Sequence, residues 1–154
     1  MTMKDRETDL PQDGRRWEAV TGCGPFADLT VAMYATTDAL DPGEHARFGF
    51  RVKPHHTNNR PVCHGGMLAT FLDMALALGV RTFEASGGRD MPPSLPTISL
   101  TLDYLAPAHL GDWIDARVTV TRAGGTCFVQ AMLHGLHGPV LRGSGVFKRT
   151  KPAA

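Results

Sequence analysis

The stretch from Pro61 to Val80 carries a single formal charge, the carboxylate of Asp73. Within it, Met67 to Leu78 contains neither Pro nor Gly and is dense in Ala, Leu and Met, so it predicts a helix apolar nearly all round. A helix of that kind is expected to be enclosed by other elements. A carboxylate inside such a core costs several kcal/mol of hydration unless it is hydrogen-bonded or protonated. Asp73 therefore serves either as a strut or as a chemical group.

The pair Gly65-Gly66 stands at the expected helix start, directly after His64. The first N–H groups of a helix have no intrahelical acceptor, and the macrodipole is positive there, so this end suits a developing oxyanion. If one helix covers both His64 and Asp73, they lie ~13.5 Å apart along its axis and on roughly opposite faces. One copy cannot aim both at one substrate atom, whereas two antiparallel copies related by a two-fold axis can. The motif therefore predicts a homodimer, or a dimer of dimers, with a site between subunits.

Composition narrows the alternatives. The chain has 154 residues, 42% hydrophobic and 20% charged, with a formal net charge of +1. That describes one soluble domain, not a nucleic-acid binder. A leader over residues 1–13, a domain over 14–150 and a short tail over 151–154 are the expected organisation. The first residues have no apolar h-region, and Asp73 interrupts the longest apolar run, so a cytoplasmic location without a membrane span is expected. Cys23, Cys63 and Cys127 lack disulfide or zinc spacing and are expected to be reduced thiols. Cys63 and His64 are sequence neighbours whose side chains point apart, which argues against a nucleophile pair. His55-His56 and His134 with His137 have no completing ligands, so no metal is expected.

Turn signals divide the rest. A short helix is expected near Arg15 to Thr21, ended by Gly22, Gly24 and Pro25. Strands are expected at Asp28 to Thr36 and His45 to Lys53, separated by Asp41-Pro42-Gly43. After the long helix come strands at Thr97 to Leu105, Asp112 to Thr121, Cys127 to Leu133 and Val140 to Lys148, the last three as a meander. The order predicts an α+β fold in which an antiparallel sheet wraps one central apolar helix.

Asn58, then His64-Gly65-Gly66, then Asp73 on an apolar helix, followed by T-I-S-L-T-L-D-Y-L-A-P-A from Thr97 to Ala108, resembles the hotdog-fold acyl-CoA thioesterases of the phenylacetic-acid-pathway, PaaI-like type. The resemblance spans roughly residues 25 to 150. It implies hydrolysis of an acyl-CoA to free acid and CoA, with Asp73 as nucleophile or general base and the Gly65 N–H polarising the carbonyl. It also implies supporting roles for His64, for Asn58 as an orienting amide and for the Thr97 hydroxyl at the water. Pro61 stands where the family commonly has Gly. No cofactor is implied, coenzyme A entering only as part of the substrate.

No acidic residue follows Asp115, and Arg122, Arg142, Lys148 and Arg149 are candidates for the CoA phosphates, the alternative being solvated strand faces. Met67, Phe71, Met74 and Leu76 either line a pocket or fill the core. An acyl-CoA hydratase of the same fold would carry His five residues after the helix Asp, where this chain has Leu78. A non-catalytic acyl-CoA binder is the reading from another class, and the presence of Asp73 argues against it.

Overall fold

The computed structural model describes residues 9–90 and 92–150, and it arranges seven strands as one antiparallel sheet against one long helix. The strands are β1 (Trp17–Ala19), β2 (Tyr34–Thr36), β3 (Ala46–Arg51), β4 (Thr97–Tyr104), β5 (Trp113–Arg122), β6 (Thr126–Gly135) and β7 (Gly138–Lys148). Their order across the sheet is β1-β2-β3-β5-β6-β7-β4. The expected meander is β5-β6-β7, and β4 lies beyond β7 as an edge. The long helix α2 (Gly65–Ser86) crosses the inner face against β3, β4, β5, β6 and β7.

Helix and sheet approach closely because small residues stand where they cross. A methyl on Gly79 would come within 2.5 Å of Val118, and one on Gly143 within 2.4 Å of Leu72. Around them Phe50, Phe71, Leu72, Leu76, Ile114, Leu133 and Phe147 form a fully buried core.

The helix is not enclosed on all sides. Leu68, Phe71, Leu72, Ala75, Leu76, Gly79, Val80 and Glu84 are buried, at the spacing of one helical face. Met67, Thr70, Asp73, Met74, Ala77 and Leu78 on the other face are half-buried. Composition could not show this, because both faces are apolar and only one meets the sheet. By length and composition the helix could cross a membrane, but here it packs on the sheet.

The first third departs from the expected elements. The helix expected near Arg15 to Thr21 is instead strand β1, whose Trp17 packs edge-on to Trp113 at 5.0 Å and whose residues pair with Tyr34 to Thr36. The strand expected from Asp28 is helical at its start, as part of α1 (Pro25–Thr30), because Pro25 supplies a helix-ready φ at the first turn. Most of the expected leader, and the tail at 151–154, lie outside the described residues. Of the leader's described end, Asp9 pairs with Lys53 at 2.6 Å, and Arg51 donates to the carbonyls of Asp9 and Leu10.

Buried His56 ties this region to the loop before α2. Its Nδ1 accepts from the Lys53 N–H at 3.0 Å, and its Nε2 donates to the Thr30 carbonyl at 2.9 Å. Burial holds its pKa below the ordinary 6.5. The unfolded chain therefore takes up this proton first as pH falls. The ring's contribution to stability is complete above about pH 6.5 and declines as pH falls toward the lower folded pKa. We expect the urea midpoint to drop between about pH 7.5 and about pH 5.5. His56→Gln should flatten that drop while lowering the midpoint at neutral pH. An unchanged slope in the variant would assign the pH dependence elsewhere.

Candidate active site

Two features of α2 could take part in chemistry, one at its start and one at its middle. At the start, His64 is the N-cap and its Nδ1 accepts from the Gly66 N–H at 2.9 Å. This fixes the neutral ring as the Nε2–H tautomer. The backbone of His64 is held as well, its N–H by the His56 carbonyl at 2.8 Å and its carbonyl by the N–H groups of Met67 and Leu68. Among the described residues, no acceptor takes the Gly65 N–H. The Gly65 carbonyl accepts from the Tyr104 hydroxyl at 2.8 Å.

Asn58 precedes this turn and caps its own loop. Its side-chain oxygen accepts from the Arg60 N–H at 2.8 Å, and its backbone N–H donates to Val62. That is an Asx turn. Burial pushes the adjacent Cys63 thiol up to about 12, so it is not a thiolate nucleophile at neutral pH.

At mid-helix, the Asp73 carboxylate accepts at Oδ1 from the Thr97 hydroxyl at 2.9 Å. Asp73 is half-buried on the open face of α2, not sealed in the core as its apolar surroundings in sequence suggested. Thr97 reaches it through a β-bulge. Leu100 and Leu102 pair with Gly145 and Gly143 on the face toward α2, whereas Ser99 and Thr101 pair with Val146 and Ser144 on the outer face. Strict alternation would turn Thr97 outward too. The register shift between Thr97 and Ser99 instead sets Thr97 opposite buried Phe147 and turns its hydroxyl to the helix.

Further along α2 from Asp73, a cavity of about 1040 Å³ is lined in part by Phe48, Met74, Ala77, Leu78, Arg81 and Leu95. Met74 thus lines a cavity and Met67 is half-buried, while Phe71 and Leu76 are core residues.

The structure brings Asp73 and Thr97 together but not Asp73 and Gly65. Those two stand eight positions apart on the helix, which is ~12 Å along the axis. The basic candidates divide. Arg142 pairs with Asp103 at 2.8 Å on the outer face, and Arg149 joins the fully buried Glu84 at 3.3 Å while donating to the Asp90 carbonyl at 2.7 Å. Arg122 and Lys148 are exposed and form no ion pair among the described residues. Sequence reasoning missed Tyr104, Glu84 and His56 as organisers. Of these only Tyr104 left a signal, an aromatic side chain continuing the Leu100, Leu102 alternation.

Residues 61–131 match the family model described as thioesterase superfamily. The chain carries the hotdog fold of that superfamily. A Pseudomonas aeruginosa protein whose name assigns it provisionally as an esterase is 29% identical over 124 residues, covering 80% of this chain and 87% of that protein. The PaaI protein from the phenylacetic acid degradation operon of E. coli superposes with a TM-score of 0.67 at 21% identity, over 84% of this chain and 86% of that one. A hypothetical thioesterase of Streptococcus pneumoniae, whose structure contains coenzyme A, superposes at 0.64 with 17% identity, over 90% of this chain and 99% of that one. Together the family match and the esterase relative support a thioester hydrolase.

Proposed function

We propose that this hotdog protein hydrolyses acyl-CoA thioesters, with Asp73 as the reacting carboxylate. The observation that carries the reading is the Asp73 carboxylate, held at one oxygen by Thr97 on the open face of a helix whose following residues Met74, Ala77 and Leu78 line a cavity. As general base, Asp73 takes a proton from water as the water adds to the thioester carbonyl. The C–S bond then breaks and the proton passes to the CoA thiolate, leaving acid and thiol. As nucleophile, the same carboxylate would add to the carbonyl and expel the CoA thiolate as the C–S bond breaks, and water would then cleave the mixed anhydride to the free acid and the restored carboxylate. In either course the carbonyl oxygen gains charge, and the Gly65 N–H is the donor left open at a helix N-terminus.

Because ~12 Å of helix separates Gly65 from Asp73 within one chain, the complete site takes the two groups from two copies. The open face of α2 and the unpaired edge of β4, with Ile98 59% exposed, supply surface for that contact. His64 and Asn58 then hold the loop that presents the N–H. Of the four basic candidates for the CoA phosphates, Arg122 and Lys148 form no ion pair among the described residues, while Arg142 and Arg149 already have carboxylate partners. The cavity beside Met74, Ala77 and Leu78 is suited to an apolar acyl group. We place the protein in the cytoplasm, where its three free cysteines stay reduced.

Subunit complementation tests the shared site. Asp73→Ala and Gly65→Pro proteins should each be inactive, and mixing them with subunit exchange should restore up to about one quarter of wild-type turnover through mixed dimers carrying one intact site. Folded parents that exchange subunits yet regain nothing would refute a site built from two chains.

A further inference from the structure

We infer that Tyr104 is a positioning residue that aims the Gly65 N–H. This rests on the reading in which that N–H polarises the thioester carbonyl. Tyr104, 39 residues beyond Gly65 in sequence, ends β4, and its hydroxyl donates to the Gly65 carbonyl at 2.8 Å. Its ring packs on the glycine itself, since a methyl at Gly65 would come within 3.1 Å of the ring carbon bearing the hydroxyl. The absent side chain at Gly65 is thus explained by a contact as well as by helix entry.

The hydrogen bonds around this turn converge on one result. In the peptide unit joining Gly65 to Gly66, Tyr104 holds the oxygen and the His64 ring holds the N–H at 2.9 Å. In the preceding unit, the oxygen of His64 is held by Met67 and Leu68 at 2.9 and 3.2 Å. Both peptide planes are fixed, and the one donor they leave open is the N–H of Gly65. A hydroxyl donating to a carbonyl in the first turn also adds a dipole aligned with the helix peptides behind that N–H. Tyr104 lines a small cavity, about 310 Å³, that also borders Gly65, Leu68 and Pro107, and it is 54% exposed. Its hydroxyl thus makes an ordered bond at a site where water could have served the carbonyl instead. That favours a role in geometry over one in holding the fold.

Tyr104→Phe removes the hydroxyl and keeps the ring on Gly65. We expect kcat for acyl-CoA hydrolysis to fall about five-fold, the rate equivalent of losing one neutral hydrogen bond in the transition state. KM should stay within about two-fold and the thermal midpoint within about 2 °C of wild type. A double-mutant cycle with His64→Ala provides the readout a structural role would not move. Because both side chains pin one peptide unit, their effects on kcat should be less than additive. A Tyr104→Phe enzyme with kcat above half of wild type overturns the inference, as does strict additivity with His64→Ala. Asp73→Asn is measured beside them. If it abolishes hydrolysis while Tyr104→Phe is silent, only the role of Tyr104 falls. If Asp73→Asn is itself active, the reading of the site falls with it.

Discussion

Asp73→Asn should lower kcat for acyl-CoA hydrolysis by roughly 10²- to 10⁴-fold, the range over which positioned acid–base groups act, and leave the protein folded. The amide nearly matches the carboxylate in shape, and its oxygen still accepts from the Thr97 hydroxyl, which lies 2.9 Å from Asp73. No cavity opens and no buried donor is orphaned, since the position is half-buried on the open face of α2. What the amide cannot do is accept a proton from water or attack a carbonyl. Three measurements on one preparation decide the matter: thermal midpoint, affinity for a non-hydrolysable acyl-CoA analogue, and thiol release. Loss of turnover with binding and midpoint retained is the expected pattern. Hydrolysis within a few-fold of wild type would remove Asp73 from the chemistry, and would leave a non-catalytic acyl-CoA binder as the better description.

The largest stability effect is expected far from that carboxylate, at Arg149. Glu84, near the end of α2, is fully buried, and its nearest cation is Arg149 at 3.3 Å, with Arg89 at 3.8 Å and more than half exposed. One oxygen of Glu84 has no hydrogen-bond partner among the described residues. Truncating Arg149 therefore leaves a buried carboxylate weakly compensated, for which the cost is about 3 kcal/mol, at the lower end because Arg149 itself is partly exposed. It also frees the Asp90 carbonyl, to which Arg149 donates at 2.7 Å, loosening the segment that leads to Thr97. Arg149→Ala should lower the urea midpoint strongly, and Glu84→Gln in the same chain should recover part of the loss. Were Arg149 instead chiefly a phosphate ligand of CoA, the variant would keep its stability and show a raised KM for acyl-CoA. The two outcomes are opposite, so one comparison separates them.

That contrast shows where sequence reasoning reached its limit. Arg149 belongs to a run of basic residues with no acid after Asp115, and charge alone made it resemble a phosphate ligand. Its partner Glu84 is 65 residues away, and nothing local to either residue announces the pairing. Separations of 39 and 26 residues likewise hid Tyr104 from Gly65 and His56 from Thr30. The errors in the first third have a related cause. Trp17 to Ala19 is short, and its state was settled by packing on Trp113 and by pairing with β2, whereas Pro25, read as a breaker, instead opens the helix Pro25 to Thr30.

By itself the sequence determined the long helix, since a run free of Pro and rich in Ala, Leu and Met has few other states. It determined the β5-β6-β7 meander, because turn residues punctuate it at short intervals, and it marked Asp73, because one charge in an apolar run needs a partner. Only the tertiary structure decided which face of α2 is buried, since both faces are apolar and the choice depends on the sheet. Only it decided that Thr97 meets Asp73. Alternation along β4 points Thr97 away from the helix, and one extra residue in the strand, a matter of register against β7, turns it back.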